Sequence, residues 1–316
     1  MTVNASIPQV SFVVPLFNTG AALPALLEAF RSLTIEGGWE LVLVDDGSTD
    51  GTPRKAASLL HEIRGQVVLV ELSRNFGEHA AVLEGYRQAK GRYVVNLDDD
   101  LQNPVSEALK LLAELQASGA DVVYSHYEQK QHHWARNWGS RCLDRAATLL
   151  LEKPRDLYLS SFRAVRRELL DRIVQYRGPY PYIDGLILGA TNRITRLTVV
   201  HQPRVEGRSS YTLRKLLRVA ANVCFDFSII PLRLAGLLGI VLCAIGLVMF
   251  SMVMVEAVTT GRVQPGWGSL MAVITLFSGS QLLMLGIIGE YVGRAFLTVS
   301  GKPQSLVRQI TVHPSL

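Results

Sequence analysis

Cysteine is scarce in this 316-residue chain: Cys142, Cys224 and Cys243 are odd in number and far apart. Their scatter excludes a cysteine-based metal knuckle and argues against a disulfide framework. The first residues, Met1-Thr2-Val3-Asn4-Ala5-Ser6, include no basic segment leading into an apolar core, so no signal peptide is expected. No internal repeat or low-complexity tract is present. Two nucleotide fingerprints are missing as well: no G-x-G-x-x-G follows the first predicted strand, and G-x-x-x-x-G-K-[ST] does not occur, which excludes a Rossmann dinucleotide site and a P-loop. The loop from Asp46 imitates a calcium-binding hand through Asp46, Ser48 and Asp50, but Ala57 stands where a bidentate Glu is required. Charge itself is missing from two long stretches. Leu234 to Val255 is 22 residues and Ser269 to Gly289 is 21 residues without a formal charge. As helices, each is long enough to cross a hydrocarbon core of about 30 Å.

What is present begins with alternating elements. Gln9 to Pro15 reads as a strand, followed by a Phe17-Asn18-Thr19-Gly20 turn and a helix with Leu23, Leu26, Leu27, Phe30 and Leu33 on one face. Trp39 to Val44 is a second strand. The loop from Asp45 to Gly51 then leads to Thr52-Pro53, read as N-cap and first-turn proline of a helix reaching about Arg64. Gln66 to Leu72, a helix through about Ala89, a strand Arg92 to Leu97, a helix Val105 to Ser118 and a strand Asp121 to Ser125 complete the series. Such alternation predicts an open, mostly parallel α/β sheet with helices on both faces. The loops at Asn18, at Asp45 and Asp46, and at Asp98 to Gln102 all come directly after strands, so they should meet along one edge, where such sheets bind ligands.

The last of those loops is the most informative. In Leu97-Asp98-Asp99-Asp100-Leu101-Gln102-Asn103-Pro104, three consecutive carboxylates close an apolar run. Along an extended backbone Asp98, Asp100 and Gln102 share one phase, and hard oxygen ligands so arranged suit Mg2+ or Mn2+ shared with substrate phosphates. A solvated acidic turn is the alternative. Asp99 falls in the other phase and is expected to point away into solvent.

Together, Val14-Pro15-Leu16-Phe17-Asn18, Val44-Asp45-Asp46-Gly47-Ser48-Thr49-Asp50-Gly51, Ser73-Arg74-Asn75-Phe76-Gly77 and Leu97 to Pro104 resemble the family 2 glycosyltransferases in order and spacing. Within that family the chain is similar to the polyprenyl-phosphate glycosyltransferases, including its two-span tail ending Gly289-Glu290-Tyr291-Val292-Gly293-Arg294. The resemblance implies a GT-A-like nucleotide-binding sheet. It also implies nucleotide-sugar binding by Pro15, Asn18, Asp45, Asp46, Arg74 and Asp98, with Asp45 on the base. Asp98, Asp100 and Gln102 match its metal pattern, and Asp100 carries a catalytic role against the diphosphate. Arg204, Arg208, Ser209 and Tyr211, in Arg204-Val205-Glu206-Gly207-Arg208-Ser209-Ser210-Tyr211, resemble the family's lipid-phosphate segment, with Ser210 replacing its Lys. Relatives read G-D-F-R-L with an Asp proposed as base; the match here is Ser160-Ser161-Phe162-Arg163-Ala164. Asp156 and Asp184 are the nearest replacements; Asp184, where other family 2 enzymes place an acidic base, is the expected helper, and a role as N-cap or turn residue is its alternative.

The net charge of +5 concentrates before the first apolar stretch, where Arg204, Arg208, Arg214, Lys215 and Arg218 face only Glu206. That pattern suits the cytoplasmic leaflet, and Thr212 to Ser228 reads as an amphipathic interfacial helix. The expected organisation is a cytoplasmic glycosyltransferase domain over 1–207, the interfacial helix over 208–228, a transmembrane hairpin over 229–292 and a cytoplasmic tail over 293–316. The expected function is inverting, metal-dependent transfer of a sugar from a nucleotide-sugar, a UDP-sugar by family analogy, to undecaprenyl phosphate or a similar polyprenyl phosphate at the inner membrane. The expected partners are that donor, that acceptor, membrane lipid and further copies of the chain in a family-like homo-tetramer; nucleic acid is not among them. Two rivals stand beside this reading. One is a synthase with a sugar or glycolipid acceptor, although the Q-x-x-R-W motif of processive members does not occur. The other is a weak or inactive nucleotide-binding membrane scaffold.

Overall fold

The computed structural model describes residues 7–127, 154, 157–200, 202, 230–260 and 266–314. The chain forms two compact units, Met1–Lys215 with Lys302–Leu316, and Leu216–Gly301.

The first unit opens with β1 (Val10–Leu16), α1 (Leu23–Arg31), β2 (Trp39–Asp45), α2 (Thr52–Leu59), β3 (Gln66–Leu72), α3 (Glu78–Gln88), β4 (Tyr93–Asn96), α4 (Val105–Ala117) and β5 (Val122–His126). It continues with β6 (Arg163–Arg166), α5 (Arg167–Ile173), α6 (Ile183–Ala190) and β7 (Ile194–Thr198). One eight-stranded sheet orders these as β7-β5-β6-β4-β1-β2-β3-β8, where β8 is Val307–His313. The central strands β4, β1, β2 and β3 are mutually parallel, whereas β6 runs antiparallel to β4 and β5, and β8 antiparallel to β3. Every residue of β1 and β2 is buried, as expected of parallel strands covered on both faces. Alternation divides their side chains between two cores. Phe12, Val14 and Leu16 meet α1, α2 and α4 on one face; Val13, Val42 and Val44 meet α3, α5 and α6 on the other.

Local differences from the sequence reading have physical causes. Leu33 lies beyond the end of α1, where it still packs against the core. Thr52 is inside α2 rather than its N-cap: the cap is Gly51 at φ 86, a left-handed position that favours glycine, and Asp50 Oδ1 accepts the Thr52 N–H at 3.0 Å. The supposed tail beyond residue 293 divides. Its start continues the long helix to Val299, and Val307–His313 returns to the first unit as the edge strand β8. Open N–H and C=O groups on the flank of β3 give that strand its place.

Among the described residues, the second unit contains two long helices, α7 (Ile230–Thr260) and α8 (Trp267–Val299). A Cβ at Gly239 would meet Met284, and one at Gly246 would meet Phe277; one partner rises along its helix as the other falls, so the two pack antiparallel. Ile230–Met249 and Leu276–Val299 are long and apolar enough to cross a membrane, by length and composition. Ser251 and Thr259 return their hydroxyls to carbonyls one turn back, the local satisfaction an apolar surrounding requires. Glu290 and Arg294 form the predicted i,i+4 pair at 2.7 Å. The interfacial helix and the lipid-phosphate residues Arg204, Arg208, Ser209 and Tyr211 lie outside the described residues.

Candidate active site

Four loops leave the carboxyl ends of β1, β2, β3 and β4, and hydrogen bonds join them into one rim. From the first, the Asn18 N–H donates to Ser48 Oγ at 2.9 Å and Asn18 Oδ1 accepts the Thr49 N–H at 2.9 Å. Asn18 holds a left-handed φ of 55, which Asn tolerates better than most residues. Its neighbour Gly20 donates to Asp50 Oδ2 at 2.9 Å. Pro15 is buried within β1 opposite Val44. Pairing with β4 ends at Val13, so the N–H that Pro15 lacks costs no ladder bond on that flank.

The two aspartates ending β2 have different surroundings. Asp45 takes the Ser48 N–H on Oδ2 at 3.1 Å, while its Oδ1 is buried without a hydrogen-bond partner. Burial pushes the Asp45 carboxyl above its ordinary pKa, against hydrogen bonds from Ser48. Asp46 accepts the Phe76 N–H on Oδ1 at 2.7 Å and the Gly77 N–H on Oδ2 at 2.9 Å. At 3 % exposure with both oxygens engaged, Asp46 holds the β3 loop. Gly47 makes the approach possible: a Cβ there would lie 2.4 Å from the Arg74 carbonyl carbon. Arg74 is exposed at the rim, its guanidinium 4.8 Å from the Phe76 ring centroid.

The acidic stretch departs from a simple extended phase. Strand β4 ends at Asn96, Asp99 and Asp100 form a turn, and Leu101 has φ 58. Asp98 Oδ2 accepts the Ser161 hydroxyl at 2.7 Å and a long 3.5 Å contact from Asn103. Asp100 Oδ1 accepts the Gln102 N–H at 3.2 Å, closing the turn. Gln102 reaches across to Gln202, whose N–H donates to the Gln102 carbonyl at 2.9 Å. Asp99, expected to point into solvent, instead binds the Thr19 hydroxyl and receives a 3.5 Å contact from the Phe17 N–H. It ties the β4 loop to the β1 loop.

Burial pushes Asp98 up to about 7, with Glu78, Asp100 and Asp99 adding to the rise and the Ser161 bond opposing it. Carboxylates crowded in this way fit a divalent cation. Among the described residues no group of three or more His, Cys, Asp or Glu could enclose one, and a pair of carboxylates with an amide is the donor set of an ion that completes its shell with phosphate oxygens and water. Ser161 was visible in the sequence only as the replacement for an acid. Its contact with Asp98 depends on β6 running antiparallel to β4, which sets Arg163 opposite Asn96; Asn96 Nδ2 then fixes the Ser161 carbonyl at 2.9 Å.

Asp184 is not at this rim's surface. It is 6 % exposed in the first turn of α6, ion-paired with Arg163 and accepting the Tyr124 hydroxyl at 2.9 Å. Arg163, itself 1 % exposed, needs that carboxylate as its counter-charge.

A rim of Asp, Asn, Ser and Arg at the carboxyl edge of a mostly parallel sheet suits a nucleotide ligand, and residues 11–174 match glycosyl transferase family 2. The chain belongs to that family. Its relatives extend the likeness well past the matched region. The undecaprenyl-phosphate 4-deoxy-4-formamido-L-arabinose transferase of Pseudomonas aeruginosa strain LESB58 is 34% identical over 308 residues, covering 96% of this chain and 91% of the relative. The protein of the same name from Proteus mirabilis strain HI4320 is 30% identical over 314 residues, covering 98% and 96%. Among solved structures, glucosyl-3-phosphoglycerate synthase from Mycobacterium tuberculosis, in complex with Mn2+, UDP and phosphoglyceric acid, is similar with a TM-score of 0.50 at 20% identity, over 68% of this chain and 76% of that one. That likeness concerns the GT-A-like fold alone. As a family 2 glycosyltransferase this chain is an enzyme of sugar transfer, and its β1 to β4 rim is the candidate donor site.

Proposed function

We propose that this glycosyltransferase transfers a sugar from a UDP-sugar to undecaprenyl phosphate or a similar polyprenyl phosphate, on the cytoplasmic face of the inner membrane and with Mg2+ or Mn2+. The observation that carries the reading is similarity along 96% or more of the chain, apolar helices included, to relatives named as undecaprenyl-phosphate transferases. The same names make 4-deoxy-4-formamido-L-arabinose the first sugar to test.

In this reading Asp45 Oδ1 takes an N–H of the base, the partner that buried oxygen otherwise lacks. Asn18 keeps the β1 and β2 loops in register around the nucleotide, and Asp46 presents Arg74 by pinning its loop. Asp98, Asp100 and Gln102 would hold the divalent ion, whose charge would offset that developing on the departing diphosphate. The nucleophile comes from the acceptor: a phosphate monoester has a second pKa of about 6 and is largely dianionic at pH 7. A phosphate oxygen forms the new bond to the anomeric carbon as the bond from that carbon to the donor diphosphate breaks, with inversion. Arg204, Arg208, Ser209 and Tyr211 receive the lipid phosphate, charge-assisted contacts that an Arg fork suits. No strong base is needed, consistent with Ser161 replacing the family acid and with Asp184 committed to Arg163.

The test is mass spectrometry of lipid products formed by the purified full chain from undecaprenyl phosphate and a panel of UDP-sugars. One UDP-sugar is expected to give the polyprenyl-phosphate sugar, and Asp100→Ala to reduce turnover by about 100-fold or more. Undiminished transfer by Asp100→Ala in EDTA would overturn the metal assignment. UDP binding without turnover of any sugar would support the inactive-scaffold reading instead.

A further inference from the structure

The segment beyond the second long helix is tied to the same rim. Gln304 Oε1 accepts Arg87 Nη2 of α3 at 2.8 Å, and Gln304 Nε2 donates to the carbonyls of Tyr176 at 3.0 Å and Gly178 at 2.6 Å. Ser305 Oγ donates to Glu84 Oε2, on the same helix, at 3.3 Å. One residue on, the Leu306 carbonyl accepts the Ser73 N–H at 2.8 Å. Strand β8 then pairs with β3, and its register slips where Glu71 faces Gln309 but Leu72 faces Val307, leaving Arg308 as the extra residue of a bulge. Bulges of this kind redirect a strand at a sheet edge and next to a site. This one lies at the end of β3 from which the Ser73–Gly77 loop departs. That loop is therefore held from two sides: Asp46 binds its far end at Phe76 and Gly77, and Leu306 binds its near end at Ser73. Arg74 lies between the two anchors.

We infer that Gln304, acting through the Leu306 backbone, is a positioning residue for the donor-binding loop Ser73–Gly77. The segment after the membrane helices is thus a working part of the nucleotide-sugar site. The role given to Arg74 rests on the donor reading above; the tether itself does not. Three side-chain hydrogen bonds fix Gln304, and the Leu306 carbonyl two residues later has little freedom to leave Ser73. Without that anchor, the near end of the loop keeps its strand but loses the acceptor that defines its departure from β3. The loss belongs in donor binding. Acceptor affinity and global stability should hardly move, because β8 retains its ladder with β3.

Hydrogen exchange monitored by mass spectrometry on the detergent-solubilised full chain tests the tether, and steady-state kinetics tests its use. In Gln304→Ala, amides across Ser73–Gly77 should exchange about fivefold faster, with β1 and β2 peptides unchanged. Ser305→Ala should act in the same direction and more weakly. The KM for the UDP-sugar should rise about fivefold, while the KM for undecaprenyl phosphate stays within about twofold and the melting temperature barely shifts. Unchanged exchange at Ser73–Gly77 in both variants would overturn the inference. Uniformly faster exchange over the whole sheet would also overturn it, reducing Gln304 to general stability. Should the wild type turn over no UDP-sugar, the donor reading fails by itself, and the exchange measurement still decides whether the tether exists.

Discussion

Asp46 accepts two backbone N–H groups and yet its carboxyl is pushed up to about 6, because burial outweighs those bonds and Asp45 and Glu78 add repulsion. A folded pKa above the unfolded value of about 3.9 means that folding favours the protonated form. Its contribution to stability is then full below pH about 4 and is lost as pH rises through about 6. Asp46→Asn cannot ionise and should lack this slope. Measured by urea unfolding, the stability difference between wild type and Asp46→Asn should move in favour of the variant by about 1 kcal/mol from pH 5 to pH 7; a difference independent of pH would show that Asp46 is already ionised at pH 5. The residue scale is also where the sequence was least legible. The period-2 rule grouped Asp98, Asp100 and Gln102 and dismissed Asp99, but it holds only for extended backbone. A turn at Asp99 and Asp100 with Leu101 at φ 58 breaks it, and Asp99 becomes the link to Thr19. Asp45 and Asp46 are adjacent and chemically identical, and only the family resemblance set Asp45 apart in the sequence; the loop-holding role of Asp46 emerges once the β3 loop stands beside it.

At the scale of elements, the parallel strands were legible because burial on both faces leaves continuous apolar runs such as Leu41-Val42-Leu43-Val44. Three strands carry no such signal. The four residues of β6 include two Arg, β7, ITRLT, sets Thr and Arg side by side between apolar residues, and β8, VRQITVH, is a half-exposed edge. The buried Arg163 that obscures β6 also explains Asp184. Deleting one member of a buried pair strands the other charge at a cost of about 3–5 kcal/mol, whereas replacing both by apolar residues of similar volume is often neutral. Asp184→Ala should therefore yield little folded protein. Arg163→Met combined with Asp184→Leu should restore the unfolding midpoint and keep sugar transfer within about tenfold of wild type. A stable double variant with no turnover would return Asp184 to catalysis, so unfolding and product formation have to be read on the same preparation.

At the scale of the whole molecule, hydropathy divided the chain at the apolar helices and made the remaining carboxyl-terminal residues look like a tail, because nothing in Lys302–His313 alone announces a partner. The partner is β3, more than 200 residues earlier in sequence, and local pattern cannot show so distant a pairing. The first unit is therefore discontinuous, with both membrane-length helices inserted between its body and its last strand. A chain ending at Ser228 would leave the flank of β3 open, and an open flat edge recruits other chains. We expect that truncated chain to aggregate, and to be less stable than one in which residues 302–316 are joined to Ser228 through a flexible Gly-Ser linker. Six register pairs join β3 to β8; at a few tenths to 1 kcal/mol per cross-strand pair, restoring the strand should be worth about 3 kcal/mol in urea unfolding. Light scattering and unfolding midpoints on the two chains give the answer without any membrane present. Equal midpoints would mean that β8 adds nothing to the sheet and that the two long helices can be removed with their flanks at no cost to the catalytic unit.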